Sequence, residues 1–193
     1  MKELIRFYEK LDRKLFIEGT HKNADMNSAL NISCGQTTPT PTTVMLMTEL
    51  LELDGQCKVL EIGTGSGYNA AFLAEFGGEL YTVEIIPKLA KLAKRRLERL
   101  GYANIRYKTG DGSEGWEEHA PYDRIVVTAS AEKEPVHLLS QLKPYGIMVA
   151  PSYTESGRQD LVTYCKRETV VVKYRIKGVR FVPITHDLEA NDG

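Results

Sequence analysis

Val59-Leu60-Glu61-Ile62-Gly63-Thr64-Gly65-Ser66-Gly67-Tyr68 reads as an apolar strand, a glycine-rich turn and the opening of a helix. Downstream, residues 68–76 continue that helix to a stop at Gly77-Gly78, and residues 80–84 form a second short apolar strand. Pro87 suits a first helical position, and the helix it opens runs to Leu100, where Gly101 ends it. Strands follow at 105–108, 123–128 and 146–150, with a helix over 134–142. Alternating strands and helices build βαβ units, whose parallel sheet is covered on both faces. After Pro151 the helices stop, and runs at 161–166, 170–176 and 179–184 read as an antiparallel edge. Upstream, Leu4, Ile5, Tyr8, Leu11 and Leu15 at helical spacing predict an amphipathic helix over 1–17. A polar irregular segment at 18–42 precedes a helix over 43–53, stopped by Asp54-Gly55. The expected fold is a doubly wound, mostly parallel α/β sheet with an antiparallel C-terminal edge and a helical N-terminal cap. One domain is expected: residues 1–42 as cap and irregular segment, 43–186 as core, 187–193 as tail.

In such sheets ligands sit at the carboxyl ends of the strands. Glycines let a ligand approach the backbone, and helix N-terminal amides offer it hydrogen bonds. Two ligands compete for this turn. The spacing is GxGxG rather than the GxGxxG of dinucleotide sites. Glu61 would repel a pyrophosphate but suits a cationic sulfonium such as S-adenosylmethionine. Glu84 ends the second strand, 17 residues after Gly67, where a carboxylate can accept from both hydroxyls of a ribose. Asp111-Gly112 follows the third strand, where a carboxylate can bind an adenine amino group.

The bulk chemistry excludes several classes. A net charge of −1 argues against a nucleic-acid binder. The basic run Lys88, Lys91, Lys94, Arg95, Arg96 and Arg99 reads as a solvated helix face, with Leu89, Leu92 and Leu97 turned inward. No apolar run reaches the roughly 18 residues a membrane span needs, and Met1-Lys2-Glu3-Leu4-Ile5-Arg6 lacks a signal-peptide core, so the expected location is the cytoplasm. Cys34, Cys57 and Cys165 are odd in number and far apart, which argues for free thiols. His21, His119, His137 and His186 show no metal-ligand spacing, so no metal is assigned. Ser130 reads as a turn serine, and Trp116 and Tyr122 as local packing.

The glycine-turn stretch, Tyr81-Thr82-Val83-Glu84, Gly110-Asp111-Gly112, the run 121–129 from Pro121 to Ala129, the run 139–144 and Phe181-Val182-Pro183 together resemble the protein-L-isoaspartate O-methyltransferase family. The resemblance covers residues 30–186. It implies an S-adenosylmethionine-dependent transfer of methyl to the carboxylate of an isoaspartyl residue in a damaged protein or peptide, the first step of protein repair. The nucleophile is an ionised carboxylate, so the chemistry asks for alignment and water exclusion rather than a base. The cofactor-binding set comprises Gln36, Thr37, Glu61, Gly63, Thr64, Gly65, Ser66, Gly67, Glu84, Ile85, Asp111, Gly112, Thr128 and Thr185, the last placed near the cofactor by the resemblance. The acceptor side departs from the family. Gly35-Gln36-Thr37-Thr38-Pro39 stands against its Gly-Gln-Thr-Ile-Ser, so Pro39 occupies the serine position and offers neither hydroxyl nor N–H. Ala29-Leu30-Asn31-Ile32-Ser33 replaces Pro-Leu-Pro-Ile-Gly. Thr38 or Thr40 is the expected replacement for the lost hydroxyl. The alternatives are an offshoot methylating a small molecule or RNA, and a catalytically idle cofactor-binding module.

Overall fold

The computed structural model describes residues 2–18, 24, 26–130, 134–168 and 170–184. Helix α1 (Lys2–Lys10) leads to a 3-10 turn at Arg13–Phe16. Strands β1 (Leu30–Asn31) and β2 (Thr37–Thr38) form a small antiparallel hairpin before α2 (Pro41–Leu50). Then come β3 (Lys58–Ile62), α3 (Tyr68–Phe76), β4 (Glu79–Glu84), α4 (Pro87–Arg99), β5 (Ile105–Thr109), β6 (Tyr122–Val127), α5 (Val136–Ser140), β7 (Leu142–Tyr153), β8 (Gln159–Lys166) and β9 (Val171–Val179). The seven-stranded sheet has the order β5-β4-β3-β6-β7-β8-β9. Its first five strands run parallel, and β8 and β9 add antiparallel at one edge. Strand β3 pairs with β4 on one side and β6 on the other, so strand order reverses there and a crevice opens above its carboxyl end.

The pleat divides the core between the two faces. Val59 packs with Leu4, Phe16, Met47, Phe72 and Leu97 on one face. Leu60 and Ile62 pack with Tyr81, Trp116, Tyr122, Leu138 and Met148 on the other. The local roles expected of Trp116 and Tyr122 hold: Tyr122 OH donates to the Trp116 carbonyl at 2.6 Å.

Several boundaries move, each for a local reason. The first helix stops at Lys10, because the Asp12 carboxylate accepts from the Lys14 N–H at 3.0 Å and starts a new turn. Helix α2 begins at Pro41 with Thr40 as its N-cap. The expected helix over 134–142 is confined to Val136–Ser140, because Leu142 joins β7 opposite Tyr122 across a register shift. The expected strand over 179–184 does not form. Strand β9 runs unbroken to Val179, and Pro183, which has no N–H to give a ladder, makes one isolated bridge with Ser130. On α4, Leu89 and Leu97 are buried as expected, but Arg96 is only partly solvated: it donates to the Ser66 carbonyl and to Glu18, both at 3.3 Å. His21, Thr185 and His186 lie outside the described residues.

Candidate functional site

A cleft opens at the carboxyl ends of β3, β4 and β6, where ligands bind in open α/β sheets. Ile62, Gly63 and Gly65 form its floor, and Val83 through Ile86 with Leu89 form one wall. Gly112, Thr128 and Ala129 form another, and the chain closes over it with Ile32, Gln36 and Thr37 from the hairpin and Val182, Pro183 and Ile184 from the C-terminal return.

The turn is shaped by backbone that a side chain would spoil. Gly63 has φ +92°, and an added Cβ would collide with Thr128 Oγ1. That hydroxyl donates to the carbonyls of Gly63 (2.6 Å) and Ile62 (3.0 Å), locking β6 to the turn. Gly112 approaches the end of β3, and an added Cβ would lie 2.6 Å from Ile62 Cγ2. Ser66 and Gly67 are buried away from the cleft. The Ser66 hydroxyl accepts from the Tyr68 N–H at 3.3 Å, and Gly67 is the N-cap of α3.

Glu84 is the acidic group of the cleft. Its two oxygens accept from the N–H groups of Gly65 (2.7 Å) and Ile86 (2.9 Å), and each keeps a lone pair for a ligand hydroxyl. Burial raises its pKa against the lowering effect of those backbone N–H bonds. Among the described lining residues it is the one charged side chain, with no lysine or arginine beside it. A polyphosphate would meet uncompensated negative charge here, whereas a cation carrying a ribose would not.

Glu61 does not reach this cleft. It is fully buried beneath the turn, where it accepts from Asn69 Nδ2 (2.8 Å) and Thr82 Oγ1 (2.6 Å). Thr82 spends its proton on Glu61, so Thr64 must donate to Thr82 across their 2.5 Å contact. The carboxylate therefore acts on the turn through two hydroxyls. Burial pushes its pKa up to about 7. Asp111 also stands back from the cleft: its Oδ1 accepts from the Ser113 N–H at 2.8 Å, and Gly112 is the residue of that pair that lines the wall.

The hairpin residues separate by the same two-residue pleat. Thr37 is exposed into the cleft beside Gln36, whereas Thr38 is only 2% exposed. Thr40 Oγ1 accepts from the Thr43 N–H at 3.2 Å and is occupied as a cap. Cys34, with φ 61°, forms the hairpin's tip and does not line the cleft. Composition and spacing gave no signal for Ile32, Val83, Ile86, Leu89 or Ile184, since apolar residues there read as core. Nor did they single out Arg13, whose buried guanidinium bonds three carbonyls.

The family model for protein-L-isoaspartate(D-aspartate) O-methyltransferase matches residues 1–189. A protein-L-isoaspartate O-methyltransferase of Dictyoglomus thermophilum is 49% identical over 178 residues, covering 91% of this chain and 80% of that one. A solved protein-L-isoaspartate O-methyltransferase shares 28% identity at a TM-score of 0.85, over 97% of this chain and 66% of its own length. A Plasmodium falciparum structure described as the same type of enzyme, in complex with S-adenosyl-L-homocysteine, shares the fold at a TM-score of 0.82 and 20% identity, over 97% of this chain and 92% of that one.

Proposed function

The chain belongs to the protein-L-isoaspartate(D-aspartate) O-methyltransferase family, and on that premise we propose that the cleft holds S-adenosylmethionine and methylates isoaspartyl carboxylates in damaged proteins and peptides. The observation that carries the cofactor half is Glu84, the one charged side chain among the described lining residues, set against a glycine turn. S-adenosylmethionine supplies a methyl group on a positively charged sulfur, which leaves as a neutral thioether once the methyl has gone to a carboxylate oxygen.

The chain's own part is binding, orientation and exclusion of water. Glu84 would accept hydrogen bonds from the ribose hydroxyls. Ile85 and Leu89 would give the base an apolar wall, and Gly112 would let it approach the end of β5. Gly63 and Gly65 would present backbone to the amino-acid end of the cofactor, while Thr64, Ser66 and Glu61 hold that backbone in shape and Asp111 shapes the turn that carries Gly112. Thr128 fixes the turn to β6. Gln36 and Thr37 lie on the acceptor side, and Thr37 supplies the hydroxyl that Pro39 cannot. The acceptor carboxylate is ionised at neutral pH, so no side chain need remove a proton.

Incubation with methyl-labelled cofactor and an isoaspartyl peptide tests the assignment. We expect base-labile label on that peptide and none on its aspartyl counterpart. Equal labelling of both, or of neither, would overturn it. We also propose that the enzyme works in the cytoplasm. Its three cysteines are free, and no helix among the described residues is long and apolar enough to cross a membrane. Cell fractionation with an antibody checks this.

A further inference from the structure

The hairpin that carries Gln36 and Thr37 into the cleft has a neck where residues 28 and 39 come together, and a single buried side chain closes it. Arg13 Nη2 donates to the Ser28 carbonyl and to the Pro39 carbonyl, both at 2.9 Å. Nη1 donates to the Met26 carbonyl at 3.2 Å. The same guanidinium lies 5.4 Å from the ring centroid of Tyr68, the first residue of α3 and the first after the glycine turn. Arg13 is 4% exposed, and among the described residues no carboxylate pairs with it. Among the described residues its Nε has no partner either, and burial lowers its pKa.

Burying a guanidinium is costly, and an apolar side chain of similar volume would fill the space more cheaply. What the guanidinium supplies is a rigid planar fork. One of its nitrogens reaches both sides of the neck at once, which a lysine ammonium on a flexible stem cannot do in a fixed geometry. Its partners are main-chain carbonyls, so it fixes where the backbone runs rather than which residues run there. The Pro39 carbonyl lies two residues after Thr37, and the Tyr68 contact ties the neck to the helix behind the cofactor turn.

We propose that Arg13 is a positioning residue for methyl transfer: it clamps the neck of the acceptor hairpin against the N-terminus of α3 and so sets the distance between Thr37 and the cofactor turn. The proposal rests on the acceptor assignment made above. Arg13→Lys keeps the charge and loses the fork. We expect it to fold and to bind cofactor within ~3-fold of wild type, because Glu84 and the glycine turn are untouched. We expect its KM for an isoaspartyl peptide to rise ~10-fold and its kcat to fall ~10-fold through misalignment. In Arg13→Ala, millimolar guanidinium should restore part of the lost rate where urea does not. Amide exchange at Ile32, whose N–H donates to the Gln36 carbonyl at 2.8 Å, should quicken ~10-fold in Arg13→Lys while amides in the middle of α3 keep their rates.

Kinetic constants that stay at wild-type values, or losses that follow cofactor affinity and melting temperature together, would overturn the proposal. So would unchanged exchange at Ile32. Should Arg13→Ala fail to fold, Arg13→Lys decides the matter alone. Wild-type turnover of the isoaspartyl peptide tests the enzyme assignment separately, and the exchange measurement tests the clamp whatever the acceptor proves to be.

Discussion

Glu61 is a buried carboxylate held by an amide and a hydroxyl, with no cation beside it among the described residues. Burial is the largest influence on it, and the hydrogen bonds only partly oppose that effect. Its pKa rises from an ordinary 4.5 to about 7 in the folded chain. The folded state therefore holds this proton more tightly than the unfolded state does. The stability it contributes is fully present below pH 4.5 and is lost as pH rises through 7, with a ceiling of ~3 kcal/mol. Glu61→Gln has nothing to titrate. Its amide can still accept from Asn69 and can donate to Thr82, which is then free to donate to Thr64. Its unfolding free energy relative to wild type should accordingly climb between pH 4.5 and pH 7 and stay level on either side. Urea melts at pH 4.5, 6 and 8 measure this. A relative stability indifferent to pH would mean that the carboxylate does not titrate in that window.

Among the elements, the hairpin and α2 distribute three threonines with nearly identical sequence surroundings into three environments. Thr40 caps α2, Thr38 is buried and Thr37 faces the cleft. Thr40→Ala should cost ~1 kcal/mol of stability, as lost N-caps do, and leave the KM for an isoaspartyl peptide unchanged. Thr37→Val keeps the shape and removes the hydroxyl. It should raise that KM several-fold, by ~1 kcal/mol for one hydrogen bond, without lowering the melting temperature. Steady-state kinetics beside thermal melts separate the two, and the reverse pattern would return the acceptor hydroxyl to Thr40. Strands β3, β4 and β6 and the glycine turn were legible in the sequence because buried parallel strands are short apolar runs and turns need glycine. The site was less legible where the pleat decides. Glu61 shares Val59's face and so looks toward α3 rather than out of the strand's end. Thr37 and Thr38 differ by one residue and point oppositely. Arg13 gave no signal because its partners are carbonyls, which every residue carries.

On the scale of the molecule, the cleft is a meeting of distant chain segments. The hairpin residue Ile32 and the C-terminal residue Ile184 line the same space. The C-terminal return has no strand of its own to hold it, since β9 ends at Val179. Two attachments replace the missing ladder. Ser130 N–H donates to the Val182 carbonyl at 2.7 Å, and its carbonyl accepts from the Ile184 N–H at 2.9 Å. At the other end, the Gln159 side chain mimics a strand: its Oε1 accepts from the Phe181 N–H at 2.5 Å, and its Nε2 donates to the Phe181 carbonyl at 3.0 Å. Gln159 stands at the start of β8 and does not line the cleft. Gln159→Ala removes both bonds while leaving every cleft side chain in place. At ~1 kcal/mol for each bond lost, part of which the unbound protein recovers through water, cofactor affinity should weaken ~5–10-fold with little change in melting temperature. Gln159→Glu keeps the acceptor for the Phe181 N–H and sets a carboxylate against the Phe181 carbonyl, so its loss should be at least as large. Calorimetric titration of both variants with the demethylated cofactor measures the effect. Wild-type affinity in both would mean that the bridge to Ser130 holds the return unaided.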